Sequence, residues 1–509
     1  MWTRCLSHMI GSWAGVALTM MFIFPLRADQ KTGTGELVSP EAGSFFVDPV
    51  SGDDSRDGRS PDSAWKTWNS FRSQALPGAS LLLKRGCTFS LPLPLHGGAP
   101  GAPIRYGAYG AGAKPLLLGN VIELSSPKQW EETAPRMWRT VAALPPLANV
   151  MFNQSQCGNM RYELGELQAT GEWFQKDGAN APLQVRCEKN PAAHWGKIEA
   201  IGADFGIVLT GKKMSHVILE DLRIEKVGTH GIHILNGSTD IVLRRCDLRW
   251  IGGAVFFVND SFSRLYGQQF VQRRVRYGNG IETWSSVSNV LIEGCRVADV
   301  FDGGITLQGF KGDKVTGLAI RDNVIWNCGY DSIDIAHGLA PIDVFIEHNT
   351  CWNAGEGWAL QGESRPRYSL HIPDQLGYHL NFEILDIPWD EQTSVTVRNN
   401  IFANAPAGRC FNFGPQPPTA ADFQRFKINH NCYFQANSAD TLVQFGSRRF
   451  EPKRFGSGQF AAYQQESGWD TNSIVANPQF INPKGGDFRL SPDSPATGMG
   501  VRSGAAISK

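Results

Sequence analysis

Charge of one sign is what this 509-residue chain lacks: Lys plus Arg and Asp plus Glu both number 48. With no basic excess, no long-range field draws it to phosphate backbones or anionic lipid, and nucleic acid is not an expected partner. The local cluster Arg264, Arg273, Arg274 and Arg276 reads as a solvated loop. Long apolar runs are missing beyond residue 30, where no stretch reaches the roughly 18 residues of a membrane helix. The one earlier run, Met9 to Leu26, lies between Arg4 and the triplet Arg27, Ala28, Asp29. That is the make-up of a secretory signal over residues 1–28, with an uncleaved anchor as the alternative because Leu26 stands where a small residue is preferred. The expectation is an exported protein, periplasmic or extracellular, monomeric, and without stable membrane insertion after cleavage.

Cysteine is too sparse, at 10 residues, for a disulfide scaffold, and no pair has zinc-ligand spacing. Cys5 leaves with the signal and the other nine read as buried small hydrophobes. Helical periodicity is scarce as well. In its place stands a repeat: VILEDLRIEKVG (217–228), IVLRRCDLRWIG (241–252), VLIEGCRVADVF (290–301), LAIRDNVIWNCG (318–329), VFIEHNTCWNAG (344–355), VTVRNNIFANAP (395–406) and FKINHNCYFQAN (426–437). One column of it holds Leu222, Cys246, Cys295, Asn323, Asn349, Asn400 and Asn431, in steps of 24, 49, 28, 26, 51 and 31 residues.

A unit of about 25 residues made of short alternating strands cannot bury its own apolar face, so successive units must stack along one axis. The predicted fold is all-β, a single-stranded parallel β-helix spanning residues 45–496, followed by a tail, 497–509. Asn323, Asn349, Asn400 and Asn431 are expected to form a ladder, each amide bonding the coil about 4.8 Å away. An open coil end exposes core and unpaired backbone. The stretch SPDSAWKTWNSFRSQA, with Ser60 or Asp62 as cap and Ala64, Trp68 and Phe71 on one side, predicts a capping helix. Residues 126–200 break the period and read as an excursion or small subdomain; the stretch 477–496 closes the other end.

Four segments together, FFVDPVSGDDSRDGRSPDSAWKT (45–67), LLLKRGCTF with APIRYGAYG, the GI-x-I strands, and NPQFINPKGGDFRLSPDSPA (477–496), resemble the pectate-lyase-like superfamily of right-handed parallel β-helix proteins. More narrowly they resemble its exported bacterial members that act on polysaccharides. The resemblance implies the right-handed coil and a carbohydrate polymer or oligosaccharide as partner. It leaves the reaction open, because hydrolases, lyases, epimerases and non-catalytic binders share that fold.

The chemistry is expected on the first strand of each coil: HGIHIL, NGIETW, GGITLQ, DSIDIA and EGWALQ. With Ile232, Ile281, Ile305, Ile333 and Trp358 inward, alternation turns His233, Glu282, Thr306, Asp334 and Ala359 to solvent. A second column follows with Trp284, Gln308 and Gln361, and a third precedes it with His230, Asn279, Gly303, Asp331 and Glu356, next to Asp302. Phe256, Phe257, Tyr266, Tyr368, Tyr378 and Trp389 are expected to wall the groove.

Carboxylates, amides and flat rings suit sugar recognition. The candidate catalytic residues are Glu282, Asp302, Asp331 and Asp334, with Glu282 favoured as acid and Asp334 as base, and the reverse open. His230, His233, Trp284, Gln308, His337, Glu356 and Gln361 are the candidate substrate contacts. No catalytic metal and no required cofactor is expected. Asp48, Asp53, Asp54 and Asp57 offer hard oxygens for a structural calcium ion, with an Asp/Gly turn as the alternative. Glycoside hydrolysis is the leading reading; the others are β-elimination on a uronic-acid glycan, with Lys311, Arg365, Arg367 or His371 as the cation, and glycan binding without catalysis.

Overall fold

In the computed structural model, residues 43–502 are described except 177–179, 258–273, 337, 356, 359–377, 384–388, 407, 415, 438–439 and 447–450. Alternation within the short strands builds three long sheets along one axis, of ten, nine and ten strands among the described residues. Pairing is parallel and in register from coil to coil: Leu219, Leu243, Ile292, Ile320, Ile346, Val397 and Ile428 stand in one line. All seven are buried, so one apolar column fills the coil interior. This is the predicted parallel β-helix, and the unit containing it runs from Leu37 to Lys509.

Where the first sheet turns into the third, the residue before the repeated column adopts positive φ, as at Asp221, Arg245, Asp322, His348, Asn399 and His430. The tight turn points the next side chain inward, where a polar atom needs partners. The asparagine ladder supplies them. Asn323 Nδ2 donates to Asn349 Oδ1 at 3.0 Å, Asn349 Nδ2 to Asn400 Oδ1 at 3.0 Å, and Asn400 Nδ2 to Asn431 Oδ1 at 3.1 Å. The last amide donates to the buried carboxylate of Asp470, at 3.1 Å. Cys246 and Cys295 fill the same position without a ladder, and none of the nine described cysteines is in a disulfide.

The capping helix forms but is shorter than the sequence pattern predicts. Only one turn, Phe71–Gln74, is helical. Trp65 instead donates from its N–H to Phe46 O at 2.9 Å and accepts from Asp48 N–H at 2.8 Å, so its backbone extends the sheet edge and is not free for a helix. The apolar lid is made by Trp65 stacked on Phe45, 5.0 Å between rings, with Phe71 against the same ring. In the preceding loop Asp48, Asp53, Asp54 and Asp57 each accept a nearby backbone N–H. Those at Asp48, Asp53 and Asp57 are turn contacts, whereas Asp54 reaches across the loop to Thr67.

Residues within 121–202 form two mainly antiparallel sheets of their own around Trp130, Phe152, Trp173 and Trp195. Asn149 of this insert donates to Gly252 O at 2.6 Å, and the buried Arg276 donates to Ala148 O at 2.8 Å while lying 4.5 Å from the Phe301 ring. At the far end Gly500 N–H bonds Asn399 O and Arg502 pairs with Asp322. Since the Arg502 side chain is 57% exposed, R502A is expected to cost less than about 1 kcal/mol, read as a small shift of the denaturant midpoint.

Candidate active site

The second sheet carries the site. Its register puts His233, Glu282, Thr306 and Asp334 in one column, and Trp284, Gln308 and Ala336 in the next. Stacking therefore brings together acids far apart in sequence. Beyond Asp334 the expected order fails: its neighbour is Asn381, on Tyr378–Glu383, so the segment 356–361 is not the next coil. Trp358 packs outside the main core, with Trp250 and Phe301. The coil between Asp334 and Asn381 is enlarged, and EGWALQ matched the pattern by composition alone. His337, Glu356 and Gln361 lie outside the described residues, as do Tyr266, Tyr368 and the side chains of Phe256 and Phe257. Trp389 is a further correction: it sits in the core, 5.1 Å from the Phe426 ring, and walls no groove.

The column expected to face water is largely covered. Glu282, Thr306 and Asp334 are 2%, 1% and 3% exposed. Phe205 stacks over His233 at 6.0 Å, and Tyr277 packs against His230 at 5.3 Å. The groups left partly open are Asp302, His233, Trp284, Gln308 and Tyr330, edged by the exposed rings of Phe205 and Phe310. Trp284 meets Phe310 edge-on at 5.4 Å.

Asn279 organises the centre. Its backbone N–H donates to His230 Nδ1 at 3.1 Å, its side-chain Nδ2 donates to Glu282 Oε1 at 3.1 Å, and its Oδ1 accepts from Gly303 N–H at 2.8 Å. A Cβ on Gly303 would lie 2.4 Å from the Thr306 methyl, so only glycine fits there. Because His230 Nδ1 is an acceptor, its proton sits on Nε2, which faces Glu282 Oε2 at 3.1 Å. His233 Nε2 is 2.9 Å from the same oxygen but off the hydrogen-bond direction.

These environments push the titrating groups apart. Burial pushes the His230 pKa down to about 4, the Glu282 charge offsetting only part of that, so the ring is neutral near pH 7. Burial also acts to raise Glu282, but the facing His230, His233 and Asn279 outweigh it and hold this carboxyl below its usual range. Asp302 goes the other way. Burial first, and the Glu282 charge second, raise it to about 7 against a weaker opposing bond from Gly278. Asp331 is fully buried and accepts from Tyr378 N–H at 2.8 Å. Asp334 accepts from Gln308 Nε2 at 3.2 Å.

Handedness comes from comparison. The family model for the right-handed beta helix region matches residues 205–370. The chain is a right-handed parallel β-helix protein. Solved structures similar to this β-helix include a glycoside hydrolase (11% identity, 79% of this chain and 89% of that one, TM-score 0.47). A rhamnogalacturonan lyase is similar at 11% identity over 90% of this chain and 100% of that one, TM-score 0.43. A lacto-N-biosidase from Eubacterium ramulus is similar at 14% identity over 79% of this chain, TM-score 0.41, with 61% of that longer chain spanned. No curated protein sequence matches the β-helix.

Among the described residues, the one group of three or more His, Cys, Asp or Glu side chains close enough for a single ion is His230, His233 and Glu282, with ligand atoms within 4.8 Å of one another. A ligating imidazole normally donates its second N–H outward, whereas His230 accepts there from Asn279 and so presents a hydrogen, not a lone pair, to the centre. Asn279 donates to Glu282 Oε1, while Glu282 Oε2 faces both histidines without a hydrogen bond. Sequence reasoning placed Asn279 in its column without a role; the signal for one was its position three residues before Glu282, on the same face of the coil.

Proposed function

We propose that this exported β-helix hydrolyses glycosidic bonds, with Asp302 as general acid and Asp334 as the carboxylate that activates water. The observation that carries this reading is the placement of a partly open Asp302 beside Glu282, itself held by Asn279 and faced by two histidines, on the column that stacks on to Asp334, an arrangement that pushes Asp302 up and holds Glu282 down. Glu282 was the acid favoured on sequence grounds. Ionised, it has another role, its charge keeping the proton on Asp302. In the reaction Asp302 gives that proton to the leaving glycosidic oxygen as the bond to the anomeric carbon breaks. Water adds to that carbon and its proton passes to Asp334.

Phe205, Trp284 and Phe310 supply flat apolar surfaces for sugar rings at the rim. W284A is expected to raise KM several-fold, equivalent to ~0.5–1.5 kcal/mol, with kcat little changed. Exposure of the protein to a panel of glycans with mass-spectrometric detection tests the reaction class. Products with a new reducing end and no unsaturation are expected. Unsaturated uronate products would replace this reading by β-elimination, in which His233, braced at 2.9 Å by Glu282, is the base. Binding without any product would make the β-helix a glycan-binding protein.

A further inference from the structure

The catalytic column does not end at Asp334. Register carries it on through Asn381, Asn412 and Gln444, and across an antiparallel pairing to Arg454. All three amides are buried. Arg409 and Arg454 both donate to Gln444 Oε1, at 3.0 and 3.1 Å. Gln444 Nε2 donates to Asn412 Oδ1 at 3.2 Å, and Asn412 Nδ2 donates to Asn381 Oδ1 at 2.8 Å. Asn381 Nδ2 then donates to Asp331 Oδ2 at 3.0 Å and to Asp334 Oδ1 at 3.1 Å.

The polarity of this line is fixed at both ends, by the carboxylates that accept from Asn381 and by the two arginines that donate to Gln444. Two guanidiniums have no acceptor to offer, so Gln444 must turn its oxygen to them and its NH₂ toward Asn412. An amide reversed anywhere along the line would set donor against donor or oxygen against oxygen, so each is held by the one before. The outcome is that Asn381 presents only hydrogens to the carboxylate pair. From this we infer that Arg409, Arg454, Gln444, Asn412 and Asn381 are positioning residues that orient Asp334 through an amide relay. The relay begins three coils away, about 14 Å at the coil spacing. The inference rests on the reading of Asp334 as the group that activates water.

Gln444→Glu tests it with one change of atom type. Glutamate still accepts from both arginines but offers no hydrogen to Asn412. Asn412 is then expected to turn its NH₂ toward position 444, which sets its oxygen against Asn381 Oδ1 and displaces the Asn381 amide from Asp331 and Asp334. The expected result on a hydrolysed glycan is a kcat lowered by roughly tenfold or more with KM and the denaturant midpoint unchanged, since one misplaced group at a reacting centre costs at least that. A kcat equal to that of the unmodified protein would overturn the relay.

A second readout does not depend on turnover. In protein labelled with ¹⁵N-asparagine, the Asn381 side-chain NH₂ signal should move on Asp334→Asn and should also move on Gln444→Glu. An Asn381 signal indifferent to Gln444→Glu would overturn the relay even if that variant were less stable. If no glycan were cleaved and the signal still moved, the relay would stand and the hydrolase reading would fall.

Discussion

Replacing Asp302 by Asn lowers kcat by roughly 10²–10⁴-fold, the range for removing a general acid, while the coil and its stability are retained. Asn cannot donate a transferable proton, and the neighbouring carboxyls are occupied: Glu282 accepts from Asn279 and faces the two histidines, and Asp331 lies buried. The pH profile follows from the same geometry. The acid works only while protonated, so its pKa, raised to about 7, sets the basic limb, above which the rate falls tenfold per unit, while the need for an ionised Asp334 sets a separate acid limb. E282Q then has a signed effect. Removing the neighbouring negative charge takes away the second cause of the shift and leaves burial, the larger one. The basic limb of E282Q should therefore move to lower pH without reaching the ordinary aspartate range near 4. Initial rates measured from about pH 4 to 9 in both proteins check this, and an unmoved limb in E282Q would contradict the assignment of that limb to Asp302.

N349A should destabilise the β-helix by ~2–4 kcal/mol, a large loss for one side chain. Asn349 accepts from Asn323 N–H and Nδ2, and donates to Ile320 O and Asn400 Oδ1. Alanine leaves the Asn323 N–H dry and unpaired and takes one donor from Ile320 O, while Asn323 Nδ2 keeps only its bond to Ile292 O; a buried orphan costs about 1–3 kcal/mol. The check is a denaturant titration in which the midpoint falls at constant slope. By contrast the loss should be slight at the exposed turn residue Asn437, away from the ladder.

These two sites differ in how far the sequence revealed them. The ladder was legible because Asn323, Asn349, Asn400 and Asn431 occupy one column of a strict repeat, and period-two alternation leaves that column one direction to face. His233, Glu282, Thr306 and Asp334 were legible for the same reason, since their strands are close in sequence and carry the same inward isoleucines. Alternation fixes a side chain's direction but not what lies over it, so the burial of Glu282 and its contacts with His230, His233 and Asn279 were not readable. Nor was the raised acid, because the displacement of Asp302 depends on both.

Across the enlarged coil, pattern matching chose EGWALQ over YHLNFE. The better signal was further on: HLNFE, CFNFG and LVQFG each place an amide directly before a phenylalanine, and these are the strands that continue the column through Asn381, Asn412 and Gln444. The capping helix is short for another reason. Its side-chain spacing was helical, but Trp65 had its backbone bonds claimed by the first strand, a tertiary contact that overrides local preference.

The proposed chemistry requires that Asp302 carry a proton near neutrality. Carboxyl ¹³C shifts of aspartate-labelled protein, with the Asp302 signal identified by its loss in D302N, follow that proton directly through a pH titration. The expected midpoint is about 7, moving down in E282Q. A midpoint near 4 in the unmodified protein, roughly the ordinary value for an exposed aspartate, would contradict it.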